Sequence, residues 1–431
     1  LKIKNLDELN DDHLAALLSR ETGLQDVLPQ VNEILMDVAE RGDQALLDYT
    51  EKFDGVRLTD IQVTGEEIDL AYDQVGRGLM ESLEVAVENI VTFHDEQRER
   101  DLWFTEISPG VVVGQKVVPL DSVGAYVPGG RASYPSSALM NVIPAKVAGV
   151  PRIAVCTPPG KDGSVSSLTL VAADLAGADE IYKLGGVQAI AALATGTESV
   201  ERVHKIVGPG NVYVTAAKLL VRSAVEIDFP AGPSEVLIVA DETARPEVLA
   251  SDMLAQAEHD PSSIAVLVSL SPELAREVAR ELEAQTSAAA RQEIVEQSLS
   301  RGAILVARDL EEAMDFSNAF APEHLEIVVG DTMEALGMVR HAGSVFLGPF
   351  TPVAAGDYAS GTNHVLPTSG YARVFSGLNV DHFTKKITVQ KISDQGLVGL
   401  GDVITSLAEA EGLKAHAESV RKRLEYLSGG D

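Results

Sequence analysis

Apolar residues in the first hundred positions recur with the period of a helix. Val27, Val31, Ile34, Leu35 and Val38 fall on one face of the stretch QDVLPQVNEILMDVAERGDQALLDYTEKF, because spacings of three and four residues bring side chains onto a common stripe. The same period returns from roughly Leu79 to Arg98 and predicts a second helix. From about Val117 the pattern shortens. The runs SVGAYV, RIAVC, EIYKL, KIV and VEIDF alternate with Ala- and Leu-rich helical stretches, which predicts a parallel sheet with both faces covered. Each run ends in a Gly/Pro cluster: VPGG, TPPG, LGG, GPGN or PAGPSE. In open parallel sheets ligands bind at the carboxyl ends of strands, so these loops are the expected seat of a cofactor or substrate.

A second α/β series follows. EVLIVAD leads to a helix over Pro246 to His259, then come SIAVLVSL, a helix from Pro272, GAILV, a helix from Leu310, LEIVV and SVFLG. The stretch from Pro349 to Phe375 breaks the alternation with Gly, Thr, Asn, His and Asp, and connectors of that length in compact domains are often functional. From Gly401 the tail reads as two amphipathic helices, the second over Gly412 to Leu427.

Composition narrows the class. At roughly 100–200 residues per domain, 431 residues suggest two to four domains. Hydrophobic residues are 45% and aromatics 5%, so the cores must be largely aliphatic. The net charge of −31 argues against nucleic acid, whose recognition needs basic surfaces. It reflects either an ordinary acidic surface or an adaptation to high salt, where self-repulsion is screened; stability measured against salt concentration separates the two. The single cysteine, Cys156, excludes an intrachain disulfide and reads as a small buried hydrophobe. No apolar run reaches the ~18 residues that span a bilayer. The start, LKIKNLDELNDD, lacks the apolar core of a signal peptide. A cytoplasmic protein is expected.

Four segments carry candidate chemistry. In LAQAEHDPSS, Gln256 and His259 are three apart near a helix end, so both can face one metal ion or ligand. Zinc accepts nitrogen and oxygen donors. On pattern alone Glu258 and His259 are the better ligands, since carboxylates are common donors and amides rare; a histidine capping helix carbonyls is the plain alternative. In FAPEHLEIVV, Glu323 and His324 precede a strand and make a natural acid/base pair, or a turn pair. In AAGDYASGTNHVLPTSG, Asp357 and His364 lie among small residues that let backbone approach a ligand, or are a turn Asp and a surface His. In EAEGLKAHAESV, Glu411 and His416 flank the start of the terminal helix, where a solvated face is the default. None of these is a strong metal signature, and G-x-G-x-x-G is absent. The nearest glycine-rich loops are GPGN at 208–211 and YVPGG at 126–130.

Taken together in order, VGAYVPGG, LGGVQAIAALATGTESV, KIVGPGN, DFPAGPSEVL, LAQAEHD, APEHLE, GDYASGTNHVLPT and EGLKAHAESV resemble the histidinol dehydrogenase family over nearly the whole chain. The N-terminal hundred residues match more loosely. The resemblance implies an α/β fold of two incomplete Rossmann-like, parallel-sheet domains with small helical N- and C-terminal extensions. It divides the chain into an N-terminal extension (1–20), a first domain with the catalytic and zinc loops (21–125 plus 236–378), a second domain with the NAD loops (126–235) and a helical tail (379–431) exchanged between protomers of a homodimer. It also implies one zinc ion per subunit at Gln256, His259, Asp357 and His416, the amide ligand replacing the carboxylate that pattern favours. Glu323 and His324 become the catalytic pair. Tyr126, Gln188 and Asn211 become NAD contacts. The substrate is implied at Ser234, His364 and Glu411, beside the four zinc positions and His324.

The implied reaction is oxidation of L-histidinol through L-histidinaldehyde to L-histidine with two NAD⁺, in histidine biosynthesis. Manganese or cobalt would also suit the donor set. Two other readings stay open: a related zinc- and NAD-dependent dehydrogenase of another substrate, such as a sulfonated diol, and a non-catalytic two-lobed binding protein.

Overall fold

The helix Leu24–Arg41 buries Val31, Ile34, Leu35 and Val38, the stripe that the sequence period marks. The helix Arg77–Asp95 buries Leu83, Ala86, Ile90 and His94 at the same spacing. The structure is a computed structural model, and it describes residues 3–9, 17–18, 20, 23–129 and 133–429. Half of the 1–20 extension, Gly130 of the YVPGG loop and the last two residues of the tail lie outside the described residues.

Along the chain, a short strand β1 (Ile3–Asn5) precedes the helical region, and an antiparallel pair follows it, β2 (Leu102–Ser108) and β3 (Val111–Pro119). The first α/β series supplies β4 (Val123–Tyr126), β5 (Ile153–Thr157), β6 (Glu180–Lys183), β7 (Lys205–Val207) and β8 (Glu226–Ile227). The second supplies β9 (Glu235–Ala240), β10 (Ile264–Ser269), β11 (Ala303–Val306), β12 (His324–Val328) and β13 (Ser344–Leu347). A final strand, β14 (Thr384–Ile392), precedes the helices Asp394–Ala410 and Lys414–Leu427.

These strands form three sheets. One has the order β1-β11-β10-β9-β12-β13 and another β6-β5-β4-β7-β8, and every pairing in both is parallel. Strands β9 and β10 are buried at every position, as their unbroken apolar runs require when helices cover both faces. The cores are correspondingly rich in Val, Ile, Leu and Ala. The third sheet, β14-β3-β2, is antiparallel. The sequence pattern does not announce it, because six of the seven residues of β2 are exposed and no alternation marks a buried face.

The chain divides into two compact units, 1–97 with 120–383 and 98–119 with 384–431. The first contains both parallel sheets. The second contains the antiparallel sheet and the two C-terminal helices. No helix among the described residues is long and apolar enough to cross a membrane.

Acid sensitivity is built into the first unit at His382, whose ring meets Phe229 edge-on at 6.0 Å. Burial, with help from Lys205, pushes its pKa from 6.5 down to about 4. Between those two values the unfolded chain binds a proton that the folded chain refuses, so stability is lost as pH falls through that window. His382→Gln is expected to flatten the fall of the thermal midpoint over this range relative to wild type.

Candidate active site

Glu323 and His324 lie where the helix Leu310–Phe320 turns into β12. Ala321 makes that turn in the left-handed region, at φ 51°. Register places His324 opposite Val236, so the pair sits beside the amino end of β9, where Ser234 and Glu235 enter the strand. The His324 ring donates from Nδ1 to the Glu235 carbonyl at 3.0 Å. That bond fixes the tautomer and leaves Nε2 as an acceptor, and Nε2 is buried with no hydrogen-bond partner. It lies 3.8 Å from Asp357 Oδ1, and Nδ1 lies 3.5 Å from Glu323 Oε2. Burial, then His259 and His364, hold His324 neutral down to a pKa of about 4, against the opposing pull of the Glu235 carbonyl.

Glu323 accepts the Glu235 backbone N–H at 2.8 Å. Burial drives its pKa well above the ordinary carboxylate range, and the charges of Glu235 and Asp357 add to that, opposed by the Glu235 N–H and the Ser234 hydroxyl. A neutral imidazole with a free lone pair beside a carboxyl that holds its proton is an arrangement for moving protons.

Asp357 lies in the short helix Val353–Tyr358, and burial raises its pKa to about 6. His364 donates from Nδ1 to the Asp357 carbonyl at 2.9 Å, and its Nε2 lies 3.4 Å from Ser137 Oγ. The long loop around it is pinned by Asn363, which donates to the Met140 carbonyl at 2.7 Å. Gln256, next to last in the helix Pro246–Ala257, has a buried side chain whose Nε2 has no partner. His259 follows one turn later and is exposed, near enough to influence both His324 and His364. Glu258, which pattern alone favours as a ligand, is exposed on the helix cap.

The donor set suits a cation: a buried amide without a partner, an imidazole, and a carboxyl that burial alone perturbs. Among the described residues no three His, Cys, Asp or Glu side chains close around one point. Glu411 and His416 lie in the second unit, at the end of the helix Asp394–Ala410 and within the helix Lys414–Leu427, both exposed.

The other loops follow the strand ends of the five-stranded sheet. Tyr126 closes β4, and its hydroxyl accepts the Gly186 N–H at 3.1 Å, leaving the phenolic proton to donate elsewhere. Gln188, one turn into the helix Gly186–Thr195, is buried with neither amide atom partnered. Asn211 caps the helix Val212–Val221 through Oδ1, which leaves its amide N–H groups free of that task. Gly208 has φ 113°, and a Cβ there would strike the Tyr126 carbonyl, so only glycine permits this approach. Lys218 donates to the Gly208 carbonyl at 2.9 Å and ion-pairs with Asp228, which accepts the Gly208 N–H at 2.8 Å. That buried clamp holds the loop from both sides.

The strand-end rule thus describes the loops at Tyr126, Gln188 and Asn211, whereas Glu323, His324 and Ser234 sit at amino ends of strands in the six-stranded sheet. The helix after β9 runs back along the sheet, which returns Gln256 and His259 to that same amino edge.

The family model described as histidinol dehydrogenase matches residues 18–424. The chain belongs to the histidinol dehydrogenase family. It is 56% identical over 423 residues to the histidinol dehydrogenase of Methanosarcina mazei, covering 98% of each chain. It is 50% identical over 427 residues to that of Natronomonas pharaonis, covering 99% of this chain and all of the relative. The crystal structure of the Elizabethkingia anophelis histidinol dehydrogenase superposes with a TM-score of 0.94 at 41% identity, over 99% of this chain and 98% of that one.

Sequence reasoning missed several members of the site. Glu235 and Glu326 stand in otherwise apolar strands and are 1% and 2% exposed. Charge is almost never fully buried without a purpose, so EVLIVA and HLEIV carried a signal. Glu326 accepts the N–H of Val353 at 3.1 Å and so anchors the helix that bears Asp357. Burial, with Asp252 adding to it, lifts the Glu326 carboxyl to a pKa of about 8.

Proposed function

We propose that this chain oxidises L-histidinol through the aldehyde to L-histidine, consuming two NAD⁺, as a step of histidine biosynthesis in the cytoplasm. The observation that carries this reading is His324, an imidazole fixed by its Nδ1 bond to Glu235 with a buried, unpartnered Nε2. Nε2 takes the hydroxyl proton as hydride leaves the carbinol carbon for the nicotinamide. Glu323, against the same ring, moves a proton for the water that adds to the aldehyde. His324 then assists the second hydride departure. Holding the reacting carbon at one fixed place beside these groups supplies much of the rate advantage.

Gln256, His259 and Asp357 would hold zinc, with His416 as the fourth ligand. When bound, the cation supplies a fixed positive charge that orients the substrate's nitrogen atoms. Ser234, His364 and Glu411 would contact the substrate, the carboxylate of Glu411 suiting a protonated amine or an imidazole N–H. Tyr126, Gln188 and Asn211 would contact the nucleotide, and the unpartnered amide of Gln188 fits that role.

We further infer a homodimer whose tails are exchanged. In the second unit Leu102, Phe104, Ile107, Val398, Val403 and Leu407 are each at least half exposed, an apolar surface of the kind that a second copy covers. Mixing His324→Asn with His416→Asn subunits is then expected to restore activity that neither variant has alone. Verified mixed dimers without recovery would place each site within one chain.

Formation of NADH from NAD⁺ with L-histidinol, but not with a sulfonated diol, tests the substrate. NADH from the diol alone would move the chain to the other dehydrogenase reading, and none from either would favour a binding protein. Glu323→Gln is expected to slow aldehyde oxidation at least as much as alcohol oxidation in single-turnover assays. An intact aldehyde step would remove the role given to Glu323.

A further inference from the structure

Behind the Glu323–His324 pair stands one residue that touches both. The backbone N–H of Glu235 donates to Glu323, and its carbonyl accepts from His324. A single peptide residue therefore sets the place of one group and the tautomer of the other. Its own side chain is held on two sides. One carboxylate oxygen accepts the Ser369 N–H at 2.9 Å, and the other pairs with Arg20. The pair is shut off from water, the side chains being 6% and 1% exposed for Arg20 and Glu235.

Arg20 reaches further. Its second terminal nitrogen donates to the Phe320 carbonyl at 2.5 Å, and its guanidinium lies 4.1 Å over the centre of the Phe320 ring. Phe320 is the last residue of the helix that turns through Ala321 and Pro322 into Glu323. Ala321 and Ser369 are the two non-glycine residues with positive φ among the described residues, at 51° and 54°. Such conformations persist only where the surroundings impose them. One lies next to the carbonyl that Arg20 grips, and the other supplies the N–H that Glu235 grips.

We propose that the buried Arg20–Glu235 pair is a positioning device for the reaction, clamping the turn into Glu323 and the backbone that orients His324. This rests on Glu323 and His324 being the proton-transfer pair. Stability alone is a poor reason for such a pair, because burying two charges costs about as much as their attraction returns, and apolar replacements are often neutral or stabilising. What an apolar pair cannot supply is the three directed bonds to Glu235, Phe320 and Ser369.

The test compares Glu235→Gln, Arg20→Met and the double variant Arg20→Met/Glu235→Met in the full-length protein, each assayed well below its own unfolding midpoint. The single variants leave a buried charge unpaired and are expected to lower both midpoint and kcat. The double variant removes both charges and is expected to regain most of the midpoint while kcat stays about 10- to 100-fold low, the scale of a reacting group misplaced by an ångström. KM for histidinol and NAD⁺ should move little. A double variant with wild-type kcat, or variants that change KM and leave kcat alone, would overturn the proposal. If the single variants fail to fold, the double variant decides. Inactive wild-type protein would sink the parent reading instead. The brace is then decided by a crystal structure of the double variant, which should show Glu323 and His324 displaced from the backbone at position 235. An undisturbed pair would refute it.

Discussion

His324→Asn is expected to lower turnover of both the alcohol and the aldehyde by about 10²–10⁴-fold, the contribution of a positioned general base. Asparagine is the informative replacement. Its amide can still meet the Glu235 carbonyl that His324 Nδ1 meets at 3.0 Å, so β12 and β9 keep their register, but nothing remains to accept a proton where Nε2 stands. Because the site is buried, water is a poor substitute. The loss should therefore appear in kcat for both steps and much less in KM. Stopped-flow measurement of NADH formation, started from alcohol and separately from aldehyde, checks this. A variant that slows only one step would mean that His324 does not serve both.

The second large effect concerns the cation. His259→Asn is expected to abolish tight zinc binding, weakening affinity beyond the roughly 10- to 100-fold that loss of an outer partner costs. Gln256 and Asp357 cannot compensate, one being a neutral amide and the other a single carboxylate whose pKa burial alone raises. Metal analysis after dialysis against a chelator should give far less than one zinc per chain, with activity lost in proportion. Full occupancy in that variant would refute the ligand assignment.

Much of this architecture was written in the pattern of the chain. Strands buried on both faces must be apolar throughout, so EVLIVA and IAVLVS declare themselves. Exposed strands carry no such signature, and β2 was invisible for that reason, although Ser108, Pro109 and Gly110 mark the turn of its hairpin. The candidate site was legible only in pieces. Asp357 and the Glu323–His324 pair stood out as polar groups in odd places, but a local pattern cannot reveal that residues 20, 235, 320 and 369 meet. Gln256 is the clearest case. Donor chemistry favours Glu258, whereas helix geometry turns Glu258 to solvent and buries the Gln256 amide without a partner.

Diffraction from crystals grown with zinc, recorded on both sides of the zinc absorption edge, decides whether these residues share one cation. One strong anomalous peak per chain is expected, about 2.0–2.2 Å from a nitrogen of His259 and an oxygen of Asp357, with Gln256 and a His416 side chain completing the shell next to His324. A peak elsewhere, or none at that position in zinc-loaded active protein, would contradict it.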